Sequence, residues 1–236
     1  MPLNAVIFDM DGVLCATDDL HFHSWKEAIS RYGIPFTRQD NHKLLGLTRR
    51  RSLETLLNGR RLSEKQFNEI LKQKNQVFLE MVNKMGEKDL LPGVKKLLDE
   101  LVENNLRIGV ASASRNTGPV LKQLGIDAYM DAVCDGNTIR RSKPAPDVFL
   151  ETAAALNIPP SECLVLEDSQ AGVQAARAAG ICVVGLGPEA RFQDATAVLP
   201  RLEGVSLDLL QKIHSAWSSS PSQSPKLKYP NNFHFQ

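Results

Sequence analysis

The chain has 236 residues, of which 42% are hydrophobic and 23% charged, with a formal net charge of +1. That length allows one large domain, or a large one carrying a smaller insertion, and the even charge balance excludes a surface built for nucleic acid or membrane. No stretch approaches the roughly 18 apolar residues of a membrane span and the N-terminus lacks a basic segment with a long apolar run, while Cys15, Cys134, Cys163 and Cys182 are scattered without a Cys-x-x-Cys pair, so neither a zinc site nor a disulfide framework is indicated and a cytoplasmic protein with buried thiols is expected.

Ala5-Val6-Ile7-Phe8 reads as a buried strand running into Asp9-Met10-Asp11-Gly12. A strand ending in Asp-x-Asp-Gly brings its acids to a sheet edge, where open α/β sheets bind ligands. Asp11-Gly12 taken alone also reads as a turn. From there to Pro92 the pattern is helical with no convincing strand, through Ser24 to Tyr32, Arg51 to Leu57 and Ser63 to Met85. Ser63 and Gln66 stand at capping-box spacing at the start of the last. This insertion, residues 16–91, is expected to be an all-helical cap, with hinges at two chain crossings near Leu14 to Ala16 and Glu87 to Leu91.

After Pro92 short apolar runs alternate with helical patterns. Arg107 to Ala111, Ala132 to Cys134, Cys163 to Leu166 and Cys182 to Leu186 read as buried strands. Val94 to Val102, Val120 to Leu124, Val148 to Leu156 and Val173 to Ala179 read as helices, with Gly125 and Gly180 at C-termini. The alternation predicts an α/β fold, a doubly wound Rossmann-like parallel sheet, over residues 1–15 and 92–217. Ser218 to Pro225 is rich in serine and proline, and residues 218–236 are expected to be a disordered tail.

Three further segments join Asp9 at strand ends. Ser112 and Ser114 precede a helix that starts near Asn116, where hydroxyls and free N–H groups suit a phosphate. Either serine could instead be a plain N-cap, Ser112 being the better phosphate ligand by its place nearer the strand. Lys143, just before Pro144, is held out of the following helix and could neutralise a phosphoryl group, or simply be a solvated charge. Glu167 and Asp168 end another strand and open a helix. They either favour its dipole or, with Asp9, form the oxygen cluster that Mg²⁺ prefers.

Asp9-Met10-Asp11-Gly12, Ser112, Lys143 and Glu167-Asp168, in this order and spacing, resemble the haloacid dehalogenase superfamily of phosphoryl-transfer enzymes. The resemblance implies that Asp9 is a nucleophile forming an aspartyl-phosphate and Asp11 the general acid and base. It implies that Asp9, the Asp11 carbonyl, Glu167 and Asp168 hold Mg²⁺, and that Ser112 and Lys143 act on the transferring phosphate.

Within that superfamily, Thr17, His21-Phe22, Trp25, Gly46, Arg49 with Ser52, Lys74-Asn75, the run Ala111 to Ser114 and the run Glu167 to Gly172 look like the β-phosphoglucomutase family. The similarity covers about residues 4–217. It implies interconversion of β-glucose 1-phosphate and glucose 6-phosphate through a β-glucose 1,6-bisphosphate that turns around under the cap. By the same resemblance Arg49 clamps the distal phosphate, supported by Lys74 and Asn75, and Thr17 and His21 couple the cap to Asp11. Trp25, Gly46, Ser52, Ala113, Ser114, Arg115 and Asn116 complete the expected substrate set, although Trp25 also reads as cap core. Leu45 stands where the family usually has a lysine, and Ala16 where it usually has an acid. Both departures bear on sugar specificity. The alternatives are a cap-bearing sugar-phosphate phosphatase, in which water takes the phosphoryl group, and a catalytically silent binding protein on this fold. The expected partner is a small sugar phosphate, with no nucleic acid or membrane, and the chain is expected to be a monomer.

Overall fold

The structure, a computed structural model, describes residues 1–44 and 47–219. In chain order β1 (Ala5–Phe8) is followed by α1 (Asp18–Ser30), α2 (Arg38–His42), α3 (Arg49–Leu57) and α4 (Glu64–Val82). Then come α5 (Val94–Glu103), β2 (Arg107–Ala111), α6 (Thr117–Gln123), β3 (Ala132–Cys134), α7 (Asp147–Leu156), β4 (Cys163–Glu167), α8 (Gln170–Ala178), β5 (Cys182–Leu186), β6 (Ala197–Leu199) and α9 (Leu207–Ser219).

All four residues of β1 are apolar and buried, the pattern of a strand covered on both faces. Its side chains alternate, Val6 and Phe8 joining one hydrophobic cluster and Ala5 and Ile7 another. The first cluster takes in Leu97, Leu98 and Leu101 of α5 and Leu210 and Ile213 of α9. Phe149 and Leu156 of α7 and Val173 of α8 belong to the second. Between these layers the strands pair in parallel in the order β3-β2-β1-β4-β5-β6. This is the doubly wound sheet predicted. Its order reverses between β1 and β4, the place where such sheets bind ligands beyond their strand ends.

The helical cap has a core of its own, formed by Trp25, Ala28, Ile29, Leu53, Leu57, Phe67 and Ile70. Ser63 and Gln66 do form a capping box at the start of α4. Farther along α4, Phe78 and Val82 belong instead to the first sheet cluster, so this helix is anchored in both units. The two chain crossings are bonded to each other: Cys15 bridges to Leu90, and Leu91 N donates to Leu14 O at 2.9 Å.

The structure departs from the expected elements in several places. The acids at 167 and 168 do not open a helix: Glu167 is the last residue of β4, and Ser169 is the N-cap of α8, its hydroxyl accepting from Gly172 N. β6 and α9 are additional, and α9 runs through Ser218 to Ser219, past the predicted start of the tail. The remainder of that tail lies outside the described residues, as do Leu45 and Gly46. All four cysteines are free and buried, and no helix among the described residues is long and apolar enough to cross a membrane.

Candidate active site

Register delivers the acids. Phe8 pairs with Leu166, and Asp9 N donates to Leu166 O at 2.9 Å, so Asp9 and Glu167 leave adjacent strands side by side. Lys143, buried, donates to Asp9 Oδ1, to Glu167 Oε2 at 2.7 Å and to Ala111 O at 3.2 Å. Burial alone would lower the lysine's pKa, but the two carboxylates more than offset that and raise it. Oε1 of Glu167 accepts from Asp168 N, Ser169 N and Ser169 Oγ, at 3.1, 2.9 and 2.7 Å. Both oxygens of Glu167 are thereby engaged by protein donors.

Carboxylate oxygens of Asp9, Glu167 and Asp168 all lie within 4.8 Å of one another. Burial, then the Glu167 charge, push Asp9 well above the usual carboxylate range and Asp168 up to about 7. Three hard oxygen donors that repel one another this way form a set suited to a small divalent cation. Space for Asp168 comes from Gly12, whose φ is +82° and where a Cβ would fall 2.2 Å from Asp168 Oδ2.

Opposite this edge the cap presents a chain of polar contacts. Thr17 Oγ1 donates to Asp11 Oδ1, His21 Nε2 lies 3.8 Å from the same oxygen, and His21 Nδ1 is 3.0 Å from Lys74 Nζ. Burial would raise the pKa of Asp11, yet the His21 ring and the Thr17 hydroxyl bring it below the usual value. His21 is lowered by burial and by the Lys74 charge. Lys74 is buried over the rings of Phe78 and Trp25, and burial with the nearby Arg49 charge brings it down to about 7.

Arg49, at the first turn of α3 behind its N-cap Thr48, lines a cleft that it shares with Arg115 of the core. Its pKa is lowered by burial and then by the charge of Arg115, whose Nε is held on Gly136 O at 3.1 Å. Two guanidinium groups thus share the wall of one cleft, an arrangement that an anion bound between them would favour.

One cleft gathers most of the predicted residues: Asp9, Asp11, Lys143, Glu167 and Asp168 at the sheet edge, Ala113, Ser114, Arg115 and Asn116 from the loop after β2, and His21, Trp25, Arg49, Ser52 and Lys74 from the cap. Trp25 serves the cap core as well. Among the described residues, three of the predicted ones do not line it. Thr17 lies beneath Asp11, and Ser112 is buried with its hydroxyl accepting from Ser114 N at 3.1 Å. Asn75 is turned to Asn116. The sequence reading missed Asp18, Asn41, Leu44, Leu47, Thr48, Gly136 and Ser169, which complete the walls. Thr48 and Ser169 were findable as hydroxyls just ahead of a helix; the others carry no local signal.

The sequence pattern of the haloacid dehalogenase-like hydrolase family matches residues 6–186. A β-phosphoglucomutase of Bacillus subtilis is 37% identical over 219 residues, which is 91% of this chain and 96% of that protein. A phosphorylated carbohydrates phosphatase of Thermotoga maritima is 30% identical over 184 residues, covering 76% and 82%. The crystal structure of a β-phosphoglucomutase from Clostridium difficile superposes with a TM-score of 0.88 at 30% identity, over 91% of this chain and 98% of that one. With this fold, this site and these relatives, the chain belongs to the haloacid dehalogenase-like hydrolase family.

Proposed function

We propose that this chain is a β-phosphoglucomutase, passing a phosphoryl group through Asp9 to interconvert β-glucose 1-phosphate and glucose 6-phosphate by way of β-glucose 1,6-bisphosphate. The observation that carries this reading is that Arg49 and Arg115 line the same cleft as Asp9 and Lys143, two further cations that offer a second phosphate a place of its own. A hydrolase acting on a monophosphate needs one anion site; a bisphosphate that turns around needs two.

In this reading a carboxylate oxygen of Asp9 attacks phosphorus, and the P–O bond to the sugar breaks. Lys143, fixed on Asp9 and Glu167, meets the charge of the transferring group. Asp11 gives a proton to the departing sugar oxygen and, in the return step, takes one from the attacking hydroxyl. Its lowered pKa, with Thr17 and His21 beside it, favours the carboxylate that accepts a proton. Ser112 holds the Ser114 amide and so shapes the loop that receives the phosphate. Trp25, Ser52 and Lys74 wall the sugar in. Asp9, Glu167 and Asp168, joined by the Asp11 carbonyl, are suited to Mg²⁺. Bound there, that ion would supply neutralisation of phosphate and carboxylate charge.

The reading takes residues 1–15 and 92–217 as the catalytic unit and 16–91 as the cap that keeps water from phospho-Asp9. A cytoplasmic location fits the four free buried thiols, which suit a reducing compartment, and the reading takes the chain as a monomer. The test is incubation with Mg²⁺, β-glucose 1-phosphate and a trace of β-glucose 1,6-bisphosphate, following glucose 6-phosphate and free phosphate together. Glucose 6-phosphate without phosphate release is expected. Free phosphate as the main product would make the protein a sugar-phosphate phosphatase, as the Thermotoga relative is named.

A further inference from the structure

Asn75 directly follows Lys74 on α4, and its Oδ1 accepts a hydrogen bond of 2.8 Å from Asn116 Nδ2 of the core. Asn116 holds the N-cap position of α6, where an asparagine ordinarily turns its side chain onto its own helix. It makes no such bond here, and reaches a partner 41 residues away in sequence instead. A residue that forgoes a favourable local contact for a distant one marks a position set by tertiary demands.

Those demands lead to Lys74. Consecutive residues of one helix move together, so whatever seats Asn75 also seats Lys74, whose Nζ lies 3.0 Å from His21 Nδ1. His21 in turn faces Asp11 at 3.8 Å. We propose that Asn75 is a positioning residue that latches the cap to the core through Asn116, and thereby sets Lys74 and His21 against Asp11. It does this as an acceptor, not as a donor to substrate phosphate. The proposal rests on the phospho-Asp9 reading above, because a seated cap also delays the attack of water on that acyl phosphate.

Two variants separate the roles. Asn75→Asp keeps the accepting oxygen and loses the amide donor; Asn75→Leu keeps the size and loses both. Each protein is charged with acetyl phosphate and Mg²⁺, which transfers the phosphoryl group to Asp9 and releases acetate. The phospho-enzyme is then partitioned between water, releasing phosphate, and added glucose 6-phosphate. Asn75→Leu should shift the partition toward water by about tenfold, the scale of a small misplacement in a closed site. Asn75→Asp should stay within about twofold of wild type on the same scale. A donor to phosphate would give the opposite order, with Asn75→Asp the more damaged through repulsion, and that result overturns the latch.

Amide hydrogen exchange without substrate gives an independent readout. Faster exchange in α4 and α6 is expected for Asn75→Leu alone, and unchanged exchange in that variant overturns the proposal. A wild-type protein that takes no phosphoryl group from acetyl phosphate would defeat the functional reading, leaving the exchange comparison to decide the latch.

Discussion

Gly172 lies directly against Glu167: a Cβ at position 172 would fall 2.0 Å from the Glu167 carboxyl carbon. The glutamate reaches its place because α8 carries no side chain there. From that place it holds Lys143 with one oxygen and the α8 entry with the other. Gly172→Ala should therefore displace Glu167 and, through it, Lys143 from Asp9. Phosphoryl transfer is expected to fall by roughly 100-fold, the cost of about an ångström of misplacement. Phospho-enzyme formation from acetyl phosphate, with circular dichroism as the control for folding, reads the effect; near-normal transfer would show that the site absorbs the methyl group.

Asp9→Asn should abolish phospho-enzyme formation and all turnover while leaving the fold intact. Asp9 sits beside Glu167 and Asp168 with a pKa raised by burial and by their charges, so a neutral amide relieves repulsion. Mass spectrometry of the protein after exposure to a phosphoryl donor, together with a thermal melt, makes the comparison. Undiminished turnover would sink the mechanism.

Arg49→Ala should spare transfer from a small activated phosphate and impair mutase turnover by at least about 100-fold, since an arginine fork on phosphate is lost only for the doubly anchored substrate. Steady-state rates on acetyl phosphate and on β-glucose 1-phosphate are to be compared. Equal losses on both would remove the distal-phosphate role.

Lys74 ties stability to pH. Its pKa falls from the usual 10.5 to about 7 on folding, so between those values the unfolded chain binds the proton more readily than the native one. Stability from this group therefore rises with pH from about 7 and levels off above the unfolded value, and the full charging cost is borne below pH 7. At about 1.4 kcal/mol per tenfold, that cost is on the order of several kcal/mol. Lys74→Met should raise the melting temperature at pH 6 by several degrees, raise it less at pH 9, and abolish mutase turnover. A melting temperature that falls equally at both pH values would mean that the contacts with His21 and the rings outweigh the charge.

Burial periodicity was enough to identify β1 to β5, the sheet class and the helical insertion, because each is a local pattern of apolar residues repeated along the chain. Chain order at strand ends was enough to bring Asp9, Lys143, Glu167 and Asp168 under suspicion, since parallel strands deliver their C-terminal ends to one edge. β6, a three-residue edge strand, was not identified. Glu167 was misread as a helix opener because one added strand residue leaves no trace in composition.

Only the tertiary structure decided which polar atoms meet. That Glu167 spends both oxygens on donors of this chain, that Ser112 holds a loop amide, that Arg49 shares a cleft with Arg115 and that Asn116 turns from its own helix to Asn75 all bring together segments far apart in sequence, except the two within a loop. Local patterning sets which residues are buried and which strand or helix carries them. Which side chains then face one another depends on strand register, on the seating of the cap and on gaps left by glycines such as Gly12 and Gly172, and those are products of packing the whole chain at once.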